Sequence, residues 1–342
     1  MKDIAEDLGV SVVTVSKVLR NHSDISTATK RRVLNRMKEL NYQPNLAARA
    51  LVTGRSSTMG LIVPDLVYSF FAEVALGLSR VLRKRGYGLI VSSSEEDPEL
   101  ERAEIDNMLA HRVDALFLAS TQTDAAACLK KLESRNIQYV LIDRTFAGQD
   151  ANFVGVDDVQ VGRIATGHLI GIGRRKVAYL GGRHVSPAAG RLEGYRQALA
   201  DHGIKVPSSY VVIKPHTDNS AHLIGYEAMK HLLRLNPRPD AVVCGSDPLA
   251  MGAMKAALES GIAVPKEIAF TGAGNATYSG LLRVPLTTVD QQSTLIGQRA
   301  AKLALACLER KGPAKTRTVL LEPKLVARES TVGAGPSVGT RR

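Results

Sequence analysis

The sequence predicts an α/β protein with a small N-terminal three-helix helix-turn-helix module followed by two doubly wound lobes. After about residue 58, apolar runs alternate with helical stretches, which is typical of parallel sheets covered by helices. Before that position the chain is basic and shows short helical repeats. A length of 342 residues suits two or three domains.

Charge and cysteine content narrow the class of protein. The net charge is +12, and the first 57 residues hold ten basic residues against five acidic ones, so a small basic module begins the chain. Cys128, Cys244 and Cys307 lie far apart and offer no disulfide framework or metal-binding spacing, which fits a reducing cytoplasm. Neither a membrane-spanning stretch nor an export signal is visible. We therefore expect a globular cytoplasmic protein.

Helical spacing indicates three short helices in the N-terminal module. Their apolar positions are Ile4, Ala5, Leu8, Val15, Val18, Leu19, Val33, Met37 and Leu40. Gly9 interrupts the first repeat, Ser26 offers an N-cap for the third helix, and Pro44 stops the run.

The second of these segments, DLGVSVVTVSKVLRN at residues 7–21, is rich in valine and could form a strand or a helix. A helix that begins at residue 11 or 12 collects Val15, Val18 and Leu19 on one face, whereas a strand leaves Val18 and Leu19 out of phase. The sequence therefore favours a helix with Val12, Val13 and Lys17 on its outer face. The N-terminal part of a recognition helix is what meets base edges in the major groove of DNA.

A short segment connects this module to the rest of the chain. Residues 45–53 predict a helix of about two turns, which Gly54 ends and a serine-rich joint follows. Helices shorter than about 12 residues are marginal in water. We therefore expect this segment to become helical only when a partner holds it.

These N-terminal motifs resemble the DNA-binding headpiece of the LacI/GalR family of bacterial repressors. The family patterns DVA...GVS..TVS.VLN and Y.PN..A..L are matched here by DIAEDLGVSVVTVSKVLRN and YQPNLAARAL. The resemblance implies DNA contacts by Ser11, Val12, Val13, Thr14, Ser16, Lys17, Asn45, Ala48, Arg49 and Leu51.

Within that set, the resemblance implies different roles. Val12 and Val13 would make apolar contacts, such as with a thymine methyl group, and Lys17 would donate to guanine. Ser11, Thr14 and Ser16 would contact phosphates or start the helix. The hinge helix would pair with its twin on DNA, and its leucine, Leu51, would wedge into the minor groove and kink the duplex.

Two sets of apolar runs predict the strands of two lobes. The first set is MGLIVPDL, YGLIVSSS, VDALFLAS and IQYVLIDR, and the second is RKVAYLGG, SYVVIKPH, PDAVVCGSD and EIAFTGAG. The resemblance extends to about Arg328 and implies a periplasmic-binding-protein-like fold. It further implies that the last segments, near Leu286 and Val319, return to the first and second lobes respectively.

We predict four regions: a headpiece at 1–44, a hinge helix and linker at 45–57, an effector-binding and dimerisation domain at 58–330, and a disordered tail at 331–342. The tail lacks the leucine heptads by which some relatives form tetramers. We therefore expect a homodimer. Family members usually carry a few residues before the headpiece pattern, which points to a natural start slightly before Met1.

The lobes carry no strong catalytic motif. GIGRRK and GAGNAT lack the third glycine of a dinucleotide-binding loop, and no nucleophile elbow, HExxH helix or P-loop occurs. The acidic runs Asp157-Asp158 and Glu95-Glu96-Asp97 are expected to be solvated loops. Facing α/β lobes form a cleft at the carboxyl ends of their strands. We expect this cleft to bind a ligand without reacting, and we predict no metal or cofactor.

The resemblance also implies the positions that line the cleft. The expected effector-binding residues are Phe70, Phe71, Asp143, Arg144, Asp157, Arg191, Ser246, Asp247, Asn275 and Gln291. Without the resemblance, each has an ordinary interpretation as a polar residue at a strand end or as a helix cap. Where relatives read GYD or GFD, this chain reads TGAGN, so Gly274 replaces an acid. Loss of that acid near two arginines favours a less hydroxyl-dependent or more anionic effector, such as a sugar acid.

Together these observations predict a transcriptional regulator, in the first place a repressor, that binds a near-palindromic DNA operator as a homodimer. A small-molecule effector between the lobes would control operator affinity. Two alternatives are an architectural DNA-binding protein without ligand control and a small-molecule enzyme with an appended DNA-binding module.

Overall fold

The computed structural model describes residues 1–19, 22–42, 55–122, 126–146, 148–182, 185–215, 220–310 and 315–332. The chain divides into two compact units, Met1–Ser56 and Ser57–Arg342. The predicted hinge helix, residues 45–53, lies within the range 43–54, which is outside the described part. The exact division between headpiece, hinge and lobes therefore stays a prediction.

The described part of the first unit contains three helices, as the sequence predicts. They are α1 (Lys2–Leu8), α2 (Val12–Leu19) and α3 (Thr27–Glu39). Gly9 ends α1 in the left-handed conformation, with φ at 63°, and its N–H bonds back to the carbonyls of the last turn. Ser26 caps α3, where its hydroxyl accepts a hydrogen bond from the Thr29 N–H at 3.2 Å.

One small core holds the three helices together. It consists of the buried residues Ile4, Ala5, Val15, Val18, Val33 and Met37. The predicted inner face of α2 is confirmed at Val15 and Val18, while the side chain of Leu19 lies outside the described part. The prediction for Leu40 is wrong, because α3 ends one residue earlier and Leu40 is exposed.

The second unit contains two lobes, and each is built on a six-stranded sheet. The strands of the first lobe are β1 (Thr58–Val63), β2 (Gly88–Ser93), β3 (Ala115–Leu118), β4 (Gln138–Ile142), β5 (Phe153–Val156) and β11 (Thr318–Leu321). They lie in the order β11-β5-β4-β3-β1-β2 and pair in parallel. The helices of this lobe are α4 (Ser69–Arg83), α5 (Pro98–Ala110), α6 (Ala126–Ser134) and α11 (Ser293–Glu309).

The strands of the second lobe are β6 (Val177–Gly181), β7 (Val211–Ile213), β8 (Ala241–Cys244), β9 (Ala269–Ala273), β10 (Thr287–Asp290) and β12 (Lys324–Val326). They lie in the order β12-β10-β9-β8-β6-β7, and all pairs are parallel except the antiparallel pair of β10 and β12. Its helices are α7 (Asp158–Gly171), α8 (Ser186–Asp201), α9 (Ala221–Leu233), α10 (Asp247–Glu259) and α12 (Glu329–Val332), with 3-10 turns at Ser208–Tyr210 and Thr277–Gly280.

The eight strands expected from apolar runs are all confirmed. The inner strands β1, β3, β6, β8 and β9 are almost completely buried, because helices cover both faces of each sheet. A strand that is buried on both faces reads as a continuous apolar run, which is why the sequence reveals it.

The chain crosses between the lobes three times, after β5, after β10 and after β11. The prediction that the segment near Leu286 returns to the first lobe and the one near Val319 to the second is wrong. β10 pairs with β9 in the second lobe, whereas Val319 lies in β11, which pairs with β5 in the first lobe. The return to the first lobe begins only with α11, which packs on α4.

The end of the described chain is held in place. Thr331 and Val332, predicted to begin the disordered tail, belong to α12. The Thr331 hydroxyl lies 2.8 Å from Nε2 of His168 and 2.7 Å from the Thr287 hydroxyl. Residues 333–342, the rest of the predicted tail, lie outside the described part. Within the described ranges, none of the helices combines the length and apolar character that a bilayer crossing needs.

Candidate functional site

The outer face of α2 presents apolar side chains to solvent. Val12 and Val13 are 40% and 61% exposed, while Val15 and Val18 on the opposite face are buried. Ser11 precedes the helix, and its hydroxyl accepts a hydrogen bond from the Thr14 N–H at 3.0 Å. A helix start with two exposed valines has the shape and chemistry for apolar contact in a major groove.

Lys17 extends this face by one turn. Its Nζ atom donates a hydrogen bond to the Asp24 carboxylate at 2.5 Å, and this bond lowers the pKa of Asp24. Both side chains remain accessible to solvent. Ser16, also assigned to DNA contact, is half-buried. The hinge residues Asn45, Ala48, Arg49 and Leu51 lie outside the described residues.

A cleft lies between the two lobes of the second unit. Of the predicted effector residues, seven line it: Phe70, Phe71, Asp143, Arg144, Arg191, Ser246 and Gln291. Tyr68, Tyr179, Val185, Pro187 and Leu249 complete most of its wall. A lining of aromatic rings with a few charged and polar groups is typical of a small-molecule site.

Aromatic rings form one wall at the start of α4. The Phe70 ring meets Phe71 edge to face at 5.0 Å between centroids and stacks with Tyr68 at 6.1 Å. Phe70 and Phe71 are buried, so their positions are fixed by packing before any ligand arrives.

Arg144 follows β4 in the first lobe and is held from two sides. Its terminal nitrogens donate to both carboxylate oxygens of Glu96, at 2.8 and 3.2 Å, and Nη1 also donates to the Ser120 carbonyl at 3.2 Å. The preceding residue, Asp143, has a positive φ of 62°, which L side chains rarely adopt. Such strain is common where a side chain must be aimed at a ligand.

Arg191 on α8 is the corresponding cation of the second lobe. Its Nε donates to Asp158 at 2.9 Å and its Nη1 to the Gly245 carbonyl at 2.6 Å. Burial opposes the charged form of Arg191, but the neighbouring carboxylates of Asp158 and Asp143 raise its pKa overall. Arg191 therefore stays charged, and its Nη2 makes no hydrogen bond to any described residue.

The acidic runs are solvated only in part: Glu95 and Asp97 are exposed, as the sequence suggested, but one acid of each run is not. Glu96 and Asp158 are mostly buried because each pairs with a cleft arginine, and burial raises the pKa of Asp158. Both arginines already have a carboxylate partner. Glycine at position 274 therefore does not by itself favour an anionic effector, because Glu96 and Asp158 already balance the charges of the two arginines.

Gly274 shows how the cleft accommodates the missing acid. The Tyr68 hydroxyl crosses from the first lobe and donates to the Ala273 carbonyl at 3.2 Å. A Cβ atom at Gly274 would lie 2.1 Å from this hydroxyl, and φ at Gly274 is +132°. Only glycine fits both conditions. The phenol of Tyr68 thus occupies the space into which an acid at 274 would project.

Three predicted effector residues point elsewhere. Asp157 caps α7, where it accepts from the Gln160 N–H at 3.1 Å. Asp247 is completely buried in the second lobe, and Asn275 accepts from Arg328 at 2.7 Å. The structure does not place them in the lining of the cleft.

Asp247 has a structural role instead. It accepts hydrogen bonds from the Ala276 N–H and from the hydroxyls of Ser279 and Thr288, at 2.5–2.8 Å. Burial raises its pKa, and these hydrogen bonds oppose that rise. The carboxylate fixes the loop after β9 that carries Gly274. Ser246, by contrast, both lines the cleft and caps α10.

Tyr68 and Tyr179 line the cleft but are not among the residues predicted from the sequence. Tyr179 lies inside β6, where an aromatic residue is read as core. Among the described residues, no cluster of His, Cys, Asp and Glu is arranged to hold a metal ion.

Two family models match the chain, one over each of its two units. The family model described as bacterial regulatory proteins, lacI family, matches residues 1–45. The one described as periplasmic binding proteins and sugar binding domain of LacI family matches residues 56–329.

Curated relatives match over nearly the whole chain. The HTH-type transcriptional repressor PurR of Klebsiella pneumoniae (strain 342) is 32% identical over 100% of this chain and 99% of its own length. The HTH-type transcriptional regulator GalR of Escherichia coli (strain K12) is 33% identical over 96% of this chain and 95% of its own.

Solved structures agree at the level of the fold and the family. The lac repressor dimer bound to operator and the anti-inducer ONPF has a TM-score of 0.83 and 28% identity, over 96% of this chain and 98% of that one. A complex of the transcriptional regulator CelR with cellobiose has a TM-score of 0.73 and 27% identity over the same shares. The chain therefore belongs to the LacI family of bacterial transcriptional regulators.

Proposed function

We propose that this regulator represses transcription by binding a near-palindromic operator as a homodimer, and that a small polar metabolite in the interlobe cleft sets its operator affinity. The observation that carries the proposal is the presence, in one chain, of an exposed recognition face on α2 and a preorganised cleft with two fixed arginines.

The DNA-binding half of the proposal rests on α2. Val12 and Val13 supply apolar contact, and Lys17 exchanges its Asp24 partner for a guanine in the major groove. Ser11 and Thr14 lie at the start of α2 and Ser16 lies one turn after Val12, and these hydroxyls can meet phosphates. The predicted hinge segment, with Asn45, Ala48, Arg49 and Leu51, would add the minor-groove contact and the kink.

The effector half rests on the cleft. Phe70 and Phe71 offer a stacking wall, Arg144 and Arg191 offer donors from opposite lobes, and Asp143 offers an acceptor. A ligand that touches both lobes favours one lobe arrangement over another. It can shift operator affinity only by its difference in affinity for the two arrangements.

Two hydrogen bonds already join the lobes beside the cleft. One is the bond from the Tyr68 hydroxyl to Ala273, and the other runs from the Thr145 N–H to the Ser186 hydroxyl at 2.9 Å. Both must break if the lobes move apart. They therefore define the arrangement that an effector would stabilise or release.

The class of effector follows from the cleft and from the relatives. CelR was solved with cellobiose, and the matching family model is described as a sugar-binding domain. Sugars, sugar acids and related metabolites are the candidates for this chain. We further propose that the cleft binds without turnover and that the protein acts in the cytoplasm, where its DNA is.

The test begins with selection of duplexes from a random library by the full-length protein, which we expect to enrich a near-palindrome. The enriched duplex, labelled with a fluorophore, then reports binding while sugars, sugar acids and nucleobases are added. At least one compound should change operator affinity by about 5–150-fold.

Other outcomes would contradict specific parts of the proposal. Failure to enrich any sequence would contradict operator recognition. An enriched operator whose affinity no metabolite changes would indicate a ligand-independent architectural protein, and consumption of an added metabolite would indicate an enzyme.

A further inference from the structure

Three tyrosines lie inside the second lobe, and the hydroxyl groups of two of them have hydrogen-bond partners. Tyr179, Tyr195 and Tyr210 are each only 1% exposed. The Tyr195 hydroxyl donates to the Val177 carbonyl at 2.9 Å, and the Tyr210 hydroxyl donates to the Pro237 carbonyl at 2.8 Å. The Tyr179 hydroxyl has no hydrogen-bond partner among the residues that the structure describes. Leaving a buried hydroxyl without a partner costs free energy.

The Tyr179 ring reaches the cleft because the chain leaves room for it. Tyr179 belongs to β6 and lines the cleft. A Cβ atom at Gly181 would lie 2.4 Å from the ring, so any larger residue there would displace it. Its hydroxyl lies 3.4 Å from the position of a Cβ atom at Gly245, the residue whose carbonyl accepts from Arg191.

We propose that the Tyr179 hydroxyl is an effector-binding donor that selects ligands carrying a hydrogen-bond acceptor at the second-lobe wall. This inference rests on the proposed function of the cleft. It adds a residue, and a chemical requirement on the effector, that the sequence resemblance does not supply.

The groups around the Tyr179 hydroxyl are also hydrogen-bond donors, and they determine what the effector must offer. Burial raises the pKa of Tyr179, so the phenol stays protonated at neutral pH and can donate. Arg191 is close enough to interact with it electrostatically and offers Nη2 as a second donor. Gln291 adds a third, since its buried Nε2 has no partner among the described residues. The effector should therefore present oxygen or nitrogen acceptors to the second lobe.

The first experiment measures thermal unfolding of the effector-free, full-length protein. Tyr195→Phe and Tyr210→Phe each remove a satisfied hydrogen bond and should lower the melting temperature by about 2 °C or more. Tyr179→Phe removes a hydroxyl that bonds to nothing in the fold, so it should leave the melting temperature unchanged or raise it. A loss with Tyr179→Phe as large as with the two controls would overturn the proposal.

The second experiment titrates D-glucose, D-gluconate and hypoxanthine into wild-type protein and the same three variants, by calorimetry and by release or retention of operator. For each probe that binds wild type, Tyr179→Phe should weaken binding on the order of tenfold. Tyr195→Phe and Tyr210→Phe should leave it within about twofold. Undiminished affinity in Tyr179→Phe for every bound probe would overturn the proposal.

The two experiments separate this inference from the proposed function. If none of the three probes binds wild-type protein, effector control by these metabolite classes is contradicted. The order of melting temperatures then decides alone whether Tyr179 is a free donor in the cleft or part of the folded core.

Discussion

The ion pairs at the two candidate sites are buried to very different degrees. Lys17 and Asp24, on the DNA-facing unit, are 36% and 52% exposed, whereas Arg191 and Asp158 in the cleft are each 12% exposed. Exposed pairs contribute about 0–1 kcal/mol and exchange partners easily. Buried pairs cannot separate without leaving a charge in a medium of low polarity. The outer face of α2 is thus adaptable, and the cleft is preorganised.

The largest effect should come from breaking the buried pair. Asp158→Ala leaves the Arg191 guanidinium buried without its carboxylate, so the free energy of unfolding should fall by about 3–5 kcal/mol. Asp24→Ala, the matched change in the first unit, should leave the free energy of unfolding almost unchanged, because the pair is exposed and screened by solvent. Urea denaturation of the full chain measures both. Similar losses in the two variants would contradict the contrast between the units.

A second variant tests how rigid the cleft is without changing its charge. Gly274→Ala places a methyl group against the Tyr68 hydroxyl and forces alanine into a φ of +132°, so it should cost about 2 kcal/mol or more. Adding Tyr68→Phe removes the clashing atom and should recover part of that loss. Gly167→Ala in α7 is the control, since nothing lies within 4 Å of a Cβ atom there. Equal stability of Gly274→Ala and Gly167→Ala would show a cleft that adapts freely.

On the adaptable face, the effect should appear in binding rather than in stability. Lys17→Ala should weaken operator binding by about 1–3 kcal/mol and relax base preference at one position of each half-site. Competition assays with single-base operator variants measure this change. A uniform loss on all duplexes, with a reduced salt dependence, would make Lys17 a phosphate contact instead.

Asp24→Asn should strengthen binding to any duplex slightly, because it removes one negative charge.

The smallest effect concerns an uncharged contact of the second unit. Burial lowers the pKa of His168, so the folded state favours the neutral ring that meets Thr331. Its contribution to stability is therefore complete above pH 6.5, the value of free histidine, and is lost as the pH falls through the lower folded pKa. His168→Gln should flatten the fall in melting temperature over that range. An identical pH profile in wild type and variant would exclude His168 as a contributor.

The features that could be predicted from the sequence are those that local residue patterns determine. Buried parallel strands read as apolar runs, and α2 was recognisable because Val15 and Val18 share one helical face. The expected roles in the cleft came from the family resemblance, which included Arg144 and Arg191, both in the cleft lining, and also Asp247, which is not. An acid at a strand end can turn into the cleft or back into the lobe, and local sequence does not decide which.

The other wrong predictions have one physical cause, which is that contacts between residues far apart in the sequence decide the outcome. Glu96 and Asp158 resembled solvated loop residues because the arginines that bury them lie 48 and 33 positions away. Tyr179 resembled core because its missing partner is a property of three-dimensional packing. The order of the last strands was also misassigned, since each could pair with either sheet until long-range contacts select one.

The three crossings between the lobes also determine when each sheet can be completed during protein synthesis. The outer edge of β5 is covered by β11, and that of β10 is covered by β12, both from residues 318–326. The ribosome must therefore translate nearly the whole chain before either sheet has all its strands. Until then two strand edges remain open to other nascent chains. A transcript truncated before these strands would yield an aggregation-prone fragment rather than a smaller working regulator.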